Sequence, residues 1–278
     1  MTIKLENFIS PLHLLTQMPQ SFTLWDIIQQ LYHFISGLTM IIIPARLAST
    51  RFPEKVLADI GGLPMVIRTA KRVASIDRVV VACDDEKILE ICAAHGVEAR
   101  LTSTTHKSGT DRINECAQII DVPDDELIIN VQADEPFIET EVLELLIERL
   151  NALKAQNAPF IMGSCYNAIN TESAQDPNLV KVITDVDHNA IYFSRSPIPF
   201  NRSGEANYFG HIGIYGFTKK SLHDFCALGE APLEDIEKLE QLRALYHGKK
   251  ISMVKVASSG FGIDTVEDLE RAKKIFGV

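Results

Sequence analysis

Cysteine is sparse: 278 residues hold five, Cys83, Cys92, Cys116, Cys165 and Cys226, and no two form a CxxC pair. That argues against a disulfide framework or a Cys-based zinc site and reads as a reduced, cytoplasmic chain. No uninterrupted apolar run approaches ~20 residues and no basic segment leads an apolar one, so neither membrane insertion nor a signal peptide is expected. Positive charge is in deficit, with 27 Lys and Arg against 37 Asp and Glu and a net charge of −10. Such a chain has no basic surplus for a nucleic-acid backbone, so no nucleic-acid partner is expected. No internal repeat is visible.

What is present is an apolar chain of ordinary composition, 46% hydrophobic, long enough for one large domain or two modest ones. Residues 1–39 carry only Lys4, Glu6 and Asp26 as fully ionised side chains. They read as a dispensable N-terminal extension, with Met40 a possible upstream limit of a domain over 40–278. The stretch 41–55, IIIPARLASTRFPEK, organises the rest. Three β-branched residues predict a buried strand stopped by Pro44. Behind it Arg46, Ser49, Thr50, Arg51 and Lys55 form a loop able to hold phosphates. It contains neither GxGxxG nor GxxxxGK[ST], so it is neither a dinucleotide nor a Walker-type loop.

Apolar strands at 78–82, 97–101 and 127–131 alternate with helical patterns, one capped by Asp84 or Asp85 and ended by Gly96, another over 141–154. This predicts an α/β fold with a mostly parallel central sheet and flanking helices, whose ligands sit beyond the carboxyl ends of the strands. Arg46, Asp84 and Asp134 fall at those ends. Strands at 160–165, 180–184, 190–193, 211–217 and 251–256, with a charged helix over 234–246, predict a smaller mixed-sheet lobe. A last helix returns to the core, capped by Asp264 or Thr265.

Two further groups carry chemistry. Asp134 and Asp264 each follow a strand-like segment, and paired carboxylates beside a cationic loop point to Mg²⁺ carried in with phosphates. Spacing leaves open whether they meet, because 130 residues separate them and Asp264 has a rival reading as a helix cap. In KSGTDR (107–112), Gly109 allows an unusual turn and Thr110 suits a cap. His211, between glycines, reads as structural rather than catalytic, and His106 as a surface residue.

PARLASTRFPEK, KSGTDR, NVQADEP, NLVKV, AIYFSR, HIGIYGF, PLEDIEKLEQLR and GIDT stand in this order from Met40 to near the C-terminus. The chain thereby resembles the 3-deoxy-manno-octulosonate (Kdo) cytidylyltransferases, or CMP-Kdo synthetases. The resemblance implies a nucleotide-diphospho-sugar transferase-like fold, with the lobe serving sugar binding and dimerisation. It implies a cytoplasmic homodimer that uses CTP and Mg²⁺ to activate Kdo for lipopolysaccharide assembly. It implies Arg46, Ser49 and Lys55 on the CTP phosphates, and Ser108 and Gly109 near the cytosine, supported by Arg112. Asp134 and Asp264 would hold Mg²⁺. Gln132, Arg195, His211, Tyr215, Glu240 and Gln241 would hold the sugar acid, with Arg195 facing its carboxylate. Arg46, Lys55 and Asp134 would be the catalytic set.

Ala133 and Glu54 stand where the family usually has glycine, implying a slightly narrower pocket and an added charge beside the phosphate loop. Two alternatives accompany the reading. One is a cytidylyltransferase for 8-amino-Kdo or another acid sugar. The other is an inactive nucleotide-binding relative, which the presence of Arg46, Lys55, Asp134 and Asp264 disfavours.

Overall fold

The computed structural model describes residues 39–49, 52–204, 206–257 and 261–278. The expected extension over 1–38 and the loop residues Thr50 and Arg51 lie outside the described residues. The strands are β1 (Thr39–Ala45), β2 (Asp59–Ile60), β3 (Leu63–Pro64), β4 (Arg78–Cys83), β5 (Ala99–Leu101), β6 (Leu127–Asn130), β7 (Met162–Ile169), β8 (Lys181–Thr184), β9 (Ala190–Ser194), β10 (Tyr208–Thr218) and β11 (Ile251–Lys255). The helices are α1 (Met65–Val73), α2 (Glu86–Ala94), α3 (Gly109–Ile119), α4 (Thr140–Ala155), α5 (Lys219–Cys226), α6 (Pro232–Glu237), α7 (Gln241–Tyr246) and α8 (Val266–Phe276).

The main sheet runs β11-β7-β10-β6-β1-β4-β5, with β8 on β10 and β9 on β8. β6, β1, β4 and β5 are mutually parallel. β10 is antiparallel to both its neighbours, β6 and β7, and β11 is parallel to β7. The parallel half with a mixed lobe is therefore as the sequence predicts.

β1 is buried along its whole length. Ile41 and Ile43 enter the core on one face, with α1 and α4, while Met40 and Ile42 enter the core on the other, with α3 and α5. A strand covered on both faces has no need of polar alternation, hence the unbroken apolar run. Contrary to expectation, β1 does not stop at Pro44 but continues to Ala45. Ile42 accepts from Val131 N on the β6 side, and Pro44, two residues on, turns its missing donor to the same side. There the β6 ladder has already ended, at Ile42↔Asn130, so the proline interrupts no further residue pair of the sheet.

Two further corrections concern the helices. The expected helix over 234–246 is two, α6 and α7, divided at Lys238 with φ 52°. Arg195 breaks it: its Nε donates to Glu237 O at 2.7 Å and its Nη2 approaches Lys238 O at 3.5 Å. Carbonyls that would continue the helix are thus taken by a guanidinium from β9's end. The cap of α3 is Ser108, whose hydroxyl accepts from Asp111 N, and not Thr110.

Glycine in β10 and β7 has a packing reason. Gly216 and Gly163 are cross-strand partners. A Cβ on Gly216 would lie 2.4 Å from Leu150 Cδ1, and one on Gly163 2.7 Å from Leu150 Cδ2. The pair lets α4 seat Leu146 and Leu150 directly on the sheet. Gly216→Ala is expected to destabilise the fold by about 1–3 kcal/mol through overpacking, read as a fall in the denaturant midpoint. An unchanged midpoint would mean that α4 has room to shift.

Candidate active site

The carboxyl ends of β1 and β6 open on a cavity of about 340 Å³. Arg46 and Ser49 line it from the loop after β1, Lys55 from the turn beyond, His106 to Gly109 and Arg112 from the start of α3, Gln132 to Asp134 from the loop after β6, and Asp264 from the segment before α8. Nine of the expected site residues are therefore brought together: Arg46, Ser49, Lys55, Ser108, Gly109, Arg112, Gln132, Asp134 and Asp264.

At its floor, Lys55 Nζ donates to Asp134 Oδ2 at 2.6 Å and to Asp264 Oδ1 at 3.0 Å. The two carboxylates that spacing could not connect converge on one ammonium. Burial works to lower the Lys55 pKa, but Asp134 and Asp264 outweigh it and hold the group above its ordinary value. The rival reading of Asp264 as a cap is overturned. Thr265 caps α8 in a reciprocal box with Asp268, and the Asp264 side chain turns to Lys55. Its segment is pinned by Ile263 N donating to Asp134 O at 3.0 Å. Ile263 also packs with Ile60, Met65, Leu269 and Ala272, which seats α8 on the β2–β3 hairpin.

Beside this floor Glu135 is set deep, with Oε2 buried and without a hydrogen-bond partner among the described residues. Burial, with the Asp134 charge beside it, pushes its carboxyl up to about 7. No group of three or more His, Cys, Asp and Glu side chains arranged to hold a metal occurs among the described residues. What the floor offers is two hard carboxylate oxygens around a position now filled by a cationic ammonium. Mg²⁺ normally takes one or two carboxylates and completes its shell with water and substrate phosphate. The donor set fits that ion.

The opposite wall is the start of α3. Gly109 is not in a left-handed conformation; its constraint is space, because a Cβ would lie 3.2 Å from Pro44 Cγ. Arg112, 4% exposed, donates to Asp84 Oδ2 at 3.0 Å and Thr102 Oγ1 at 2.7 Å. Asp84 Oδ1 in turn accepts from Leu47 N at 2.9 Å. Asp84 thus ties the loop after β1 to α3. His106 is not a bare surface residue: it is half-buried on the cavity wall and paired with Glu115. Burial opposes it, but Ser103 N–H and His106 hold Glu115 below its ordinary value.

Of the expected sugar-binding residues, only Gln132 lines the cavity. His211, Tyr215, Glu240 and Gln241 form an adjoining cluster on β10 and at the start of α7. Tyr215 lies across from Asn130 in the ladder, and Gln132 Nε2 approaches Asn130 Oδ1 at 3.3 Å. Tyr215 donates to Gln241 Oε1 at 3.2 Å, and its ring lies 5.6 Å from that of His211. Ser164 spends its one proton on Ile214 O at 2.7 Å, so His211 Nε2 donates to Ser164 Oγ at 2.8 Å. Burial pushes the His211 pKa down to about 3, keeping it neutral. Glu240 accepts from Thr110 Oγ1 at 2.7 Å, and burial pushes its pKa up. Arg195 stands apart, its Nη1 donating to Pro177 O at 2.9 Å while buried Lys181 donates to Arg195 O at 2.5 Å.

A family model for cytidylyltransferases matches residues 40–251. The 3-deoxy-manno-octulosonate cytidylyltransferase of Wolinella succinogenes is 54% identical over 242 residues, spanning 86% of this chain and 99% of that one. The chain belongs to the 3-deoxy-manno-octulosonate cytidylyltransferases. The Helicobacter pylori member is 53% identical, over 85% of this chain and 97% of its own. A solved CMP:2-keto-3-deoxy-manno-octonic acid synthetase complexed with CTP is similar at a TM-score of 0.80, with 36% identity over 87% of this chain and 99% of that one.

The departures from the cytidylyltransferase pattern have local explanations. Glu54 adopts φ 51°, a left-handed conformation that glycine takes without cost. Its carboxylate accepts from Lys87 Nζ at 2.7 Å, so the added charge beside the loop is paired. Ala133 is buried, and its carbonyl accepts from Thr69 Oγ1 at 2.9 Å. Sequence reasoning missed the bracing roles of Asp84, His106 and Glu115. The only available signal for Asp84 was its place at the end of β4.

Asp84→Ala strands a buried guanidinium and is expected to cost about 3–5 kcal/mol of stability. Equilibrium denaturation measures this, and a loss below about 1 kcal/mol would show that Thr102 and Ser103 suffice for Arg112.

Proposed function

We propose that this chain transfers CMP from CTP to the anomeric hydroxyl of Kdo, releasing pyrophosphate. The observation that carries the reading is Lys55 between Asp134 and Asp264 on the floor of a cation-lined cavity at the strand ends. The names and extents of the relatives support the choice of nucleotide and sugar.

The hydroxyl attacks the α-phosphorus and pyrophosphate departs, so no protein nucleophile is required. Arg46 and Lys55 offset charge growing on the α-phosphoryl and the leaving group, which is electrostatic stabilisation rather than acid–base catalysis. Ser49 and the first turn of α3, capped by Ser108 and kept open by Gly109, complete the nucleotide side, with Arg112 bracing it. When bound by Asp134 and Asp264, Mg²⁺ supplies charge neutralisation and alignment of the triphosphate. Lys55, fixed on the same two carboxylates, stands ready to turn to phosphate oxygens once they arrive.

On the sugar side, Gln132, neutral His211, Tyr215, Glu240 and Gln241 offer the donors and acceptors a polyhydroxylated acid requires, with Arg195 as the cation for its carboxylate. Arg195 now rests on backbone carbonyls and keeps Nη donors to spare.

Homodimerisation is proposed through the lobe. Exposed Val186 and Ile191 on the β8–β9 hairpin and Phe200 beyond it, 92%, 57% and 87% exposed, provide apolar surface there. All five cysteines are unpaired, which supports a reducing, cytoplasmic setting. Among the described residues no helix is long and apolar enough to cross a membrane.

Purified protein is expected to release pyrophosphate from CTP with Kdo, to stop with EDTA and to respond poorly to UTP. Asp134→Asn should keep the fold and lower turnover at least ~100-fold, the loss expected when a metal-assisted step loses a ligand. Turnover with 8-amino-Kdo or a nonulosonate but not Kdo would move the substrate assignment. Near-normal turnover of Asp134→Asn with unchanged magnesium dependence would remove Asp134 from the mechanism.

A further inference from the structure

The Thr110 hydroxyl is not spent on its own helix. Ser108 caps α3, and Thr110 Oγ1 turns outward to donate to Glu240 Oε2 at 2.7 Å, across 130 residues of chain. Two neighbours could compete for that carboxylate, and both are committed elsewhere. The Ser108 hydroxyl gives its one proton to Asp111 Oδ2 at 3.0 Å. Arg243 donates to both oxygens of Glu234, at 2.8 and 2.6 Å, and comes only within 3.9 Å of Glu240 Oε1. That oxygen is buried and makes no hydrogen bond among the described residues. Thr110 therefore provides the hydrogen bond that orients the Glu240 side chain.

We infer that Thr110 is a positioning residue for the sugar acid: its hydroxyl fixes the Glu240 carboxylate from the helix whose first turn lines the nucleotide cavity. The inference rests on the assignment of Glu240 to the sugar side made above. Thr110 is 3% exposed, so it acts through Glu240 and not on substrate. Docking of α7 does not need the hydroxyl, because Leu239 and Leu242 share a buried core with Ile113, Cys116 and Ala117 of α3. Apolar packing of that kind is non-directional. It seats the helix but leaves the glutamate side chain free to turn, whereas a hydrogen bond sets a direction. Gln241, the next residue, is held separately by Tyr215 Oη at 3.2 Å. The pair is thus oriented from two elements, Glu240 from α3 and Gln241 from β10. A carboxylate accepts about four hydrogen bonds, and with one donor here Glu240 keeps lone pairs for sugar hydroxyls.

Thr110→Val, which keeps the shape and removes the hydroxyl, and Thr110→Ser, which keeps the hydroxyl, test it by steady-state kinetics with CTP and Kdo varied in turn. Thr110→Val should raise the KM for Kdo about 10-fold, the loss expected when a hydrogen bond to a charged group is removed. It should leave the KM for CTP near the parent value. Thr110→Ser should restore the KM for Kdo. Should Thr110→Val fail to fold, Thr110→Ala carries the same expectation. An unchanged KM for Kdo would overturn the role. So would an equal rise for both substrates, since a merely structural bond would loosen α3 as a whole and disturb the nucleotide as much as the sugar. Loss in Thr110→Ser as deep as in Thr110→Val would overturn it as well. Parent protein that turns over no acid sugar would defeat the functional reading, and diffraction from Thr110→Val crystals then decides this one. It predicts the Glu240 carboxylate turned from its present position with Leu239 and Leu242 in place, and an unmoved carboxylate would overturn it.

Discussion

One ammonium held by two carboxylates is the interaction around which the site is built. Lys55 is mostly buried, 13% exposed, and a lone cation in that place would lose its charge or its position. Asp134 and Asp264 prevent both. The same arrangement puts two anions closer together than they would stay with nothing positive between them. Whatever cation occupies the middle, the pair is already drawn together, so under the proposed function a metal-bound triphosphate would meet both carboxylates in place.

The fold supplies the three groups from widely separated parts of the chain. Lys55 belongs to the loop that leaves β1 and Asp134 to the loop that leaves β6. Asp264 belongs to a segment that returns beside β6 because Ile263 and the apolar face of α8 pack on Ile60 and Met65. β1 and β6 are adjacent and parallel, so their exits share one edge, as expected of ligand sites in parallel sheets. The antiparallel entry of β10 beside β6 then sets His211, Tyr215 and, through α7, Gln241 next to the nucleotide cavity.

Local pattern made much of this legible before any coordinates. The buried run at 41–43, the alternation through 131 and the mixed second half all appear in the sheet, since burial on both faces or one leaves its period in the residues. Residue type and placement alone pair Asp134 with Asp264 as candidates. What escaped was non-local. The break between α6 and α7 depends on Arg195 arriving from β9 to take their carbonyls. His106 is drawn to the cavity wall by Glu115, nearly two helix turns into α3. Thr110 was a better cap by composition than by position, since Ser108 begins the helix and leaves Thr110 to Glu240.

The most direct test is diffraction from crystals grown with CTP and Mn²⁺, recorded at the manganese edge. The account predicts an anomalous peak about 2.0–2.2 Å from one oxygen of Asp134 and one of Asp264, with Lys55 moved from that position onto phosphate. A peak elsewhere in the cavity, with Lys55 still bridging the two carboxylates, would contradict it.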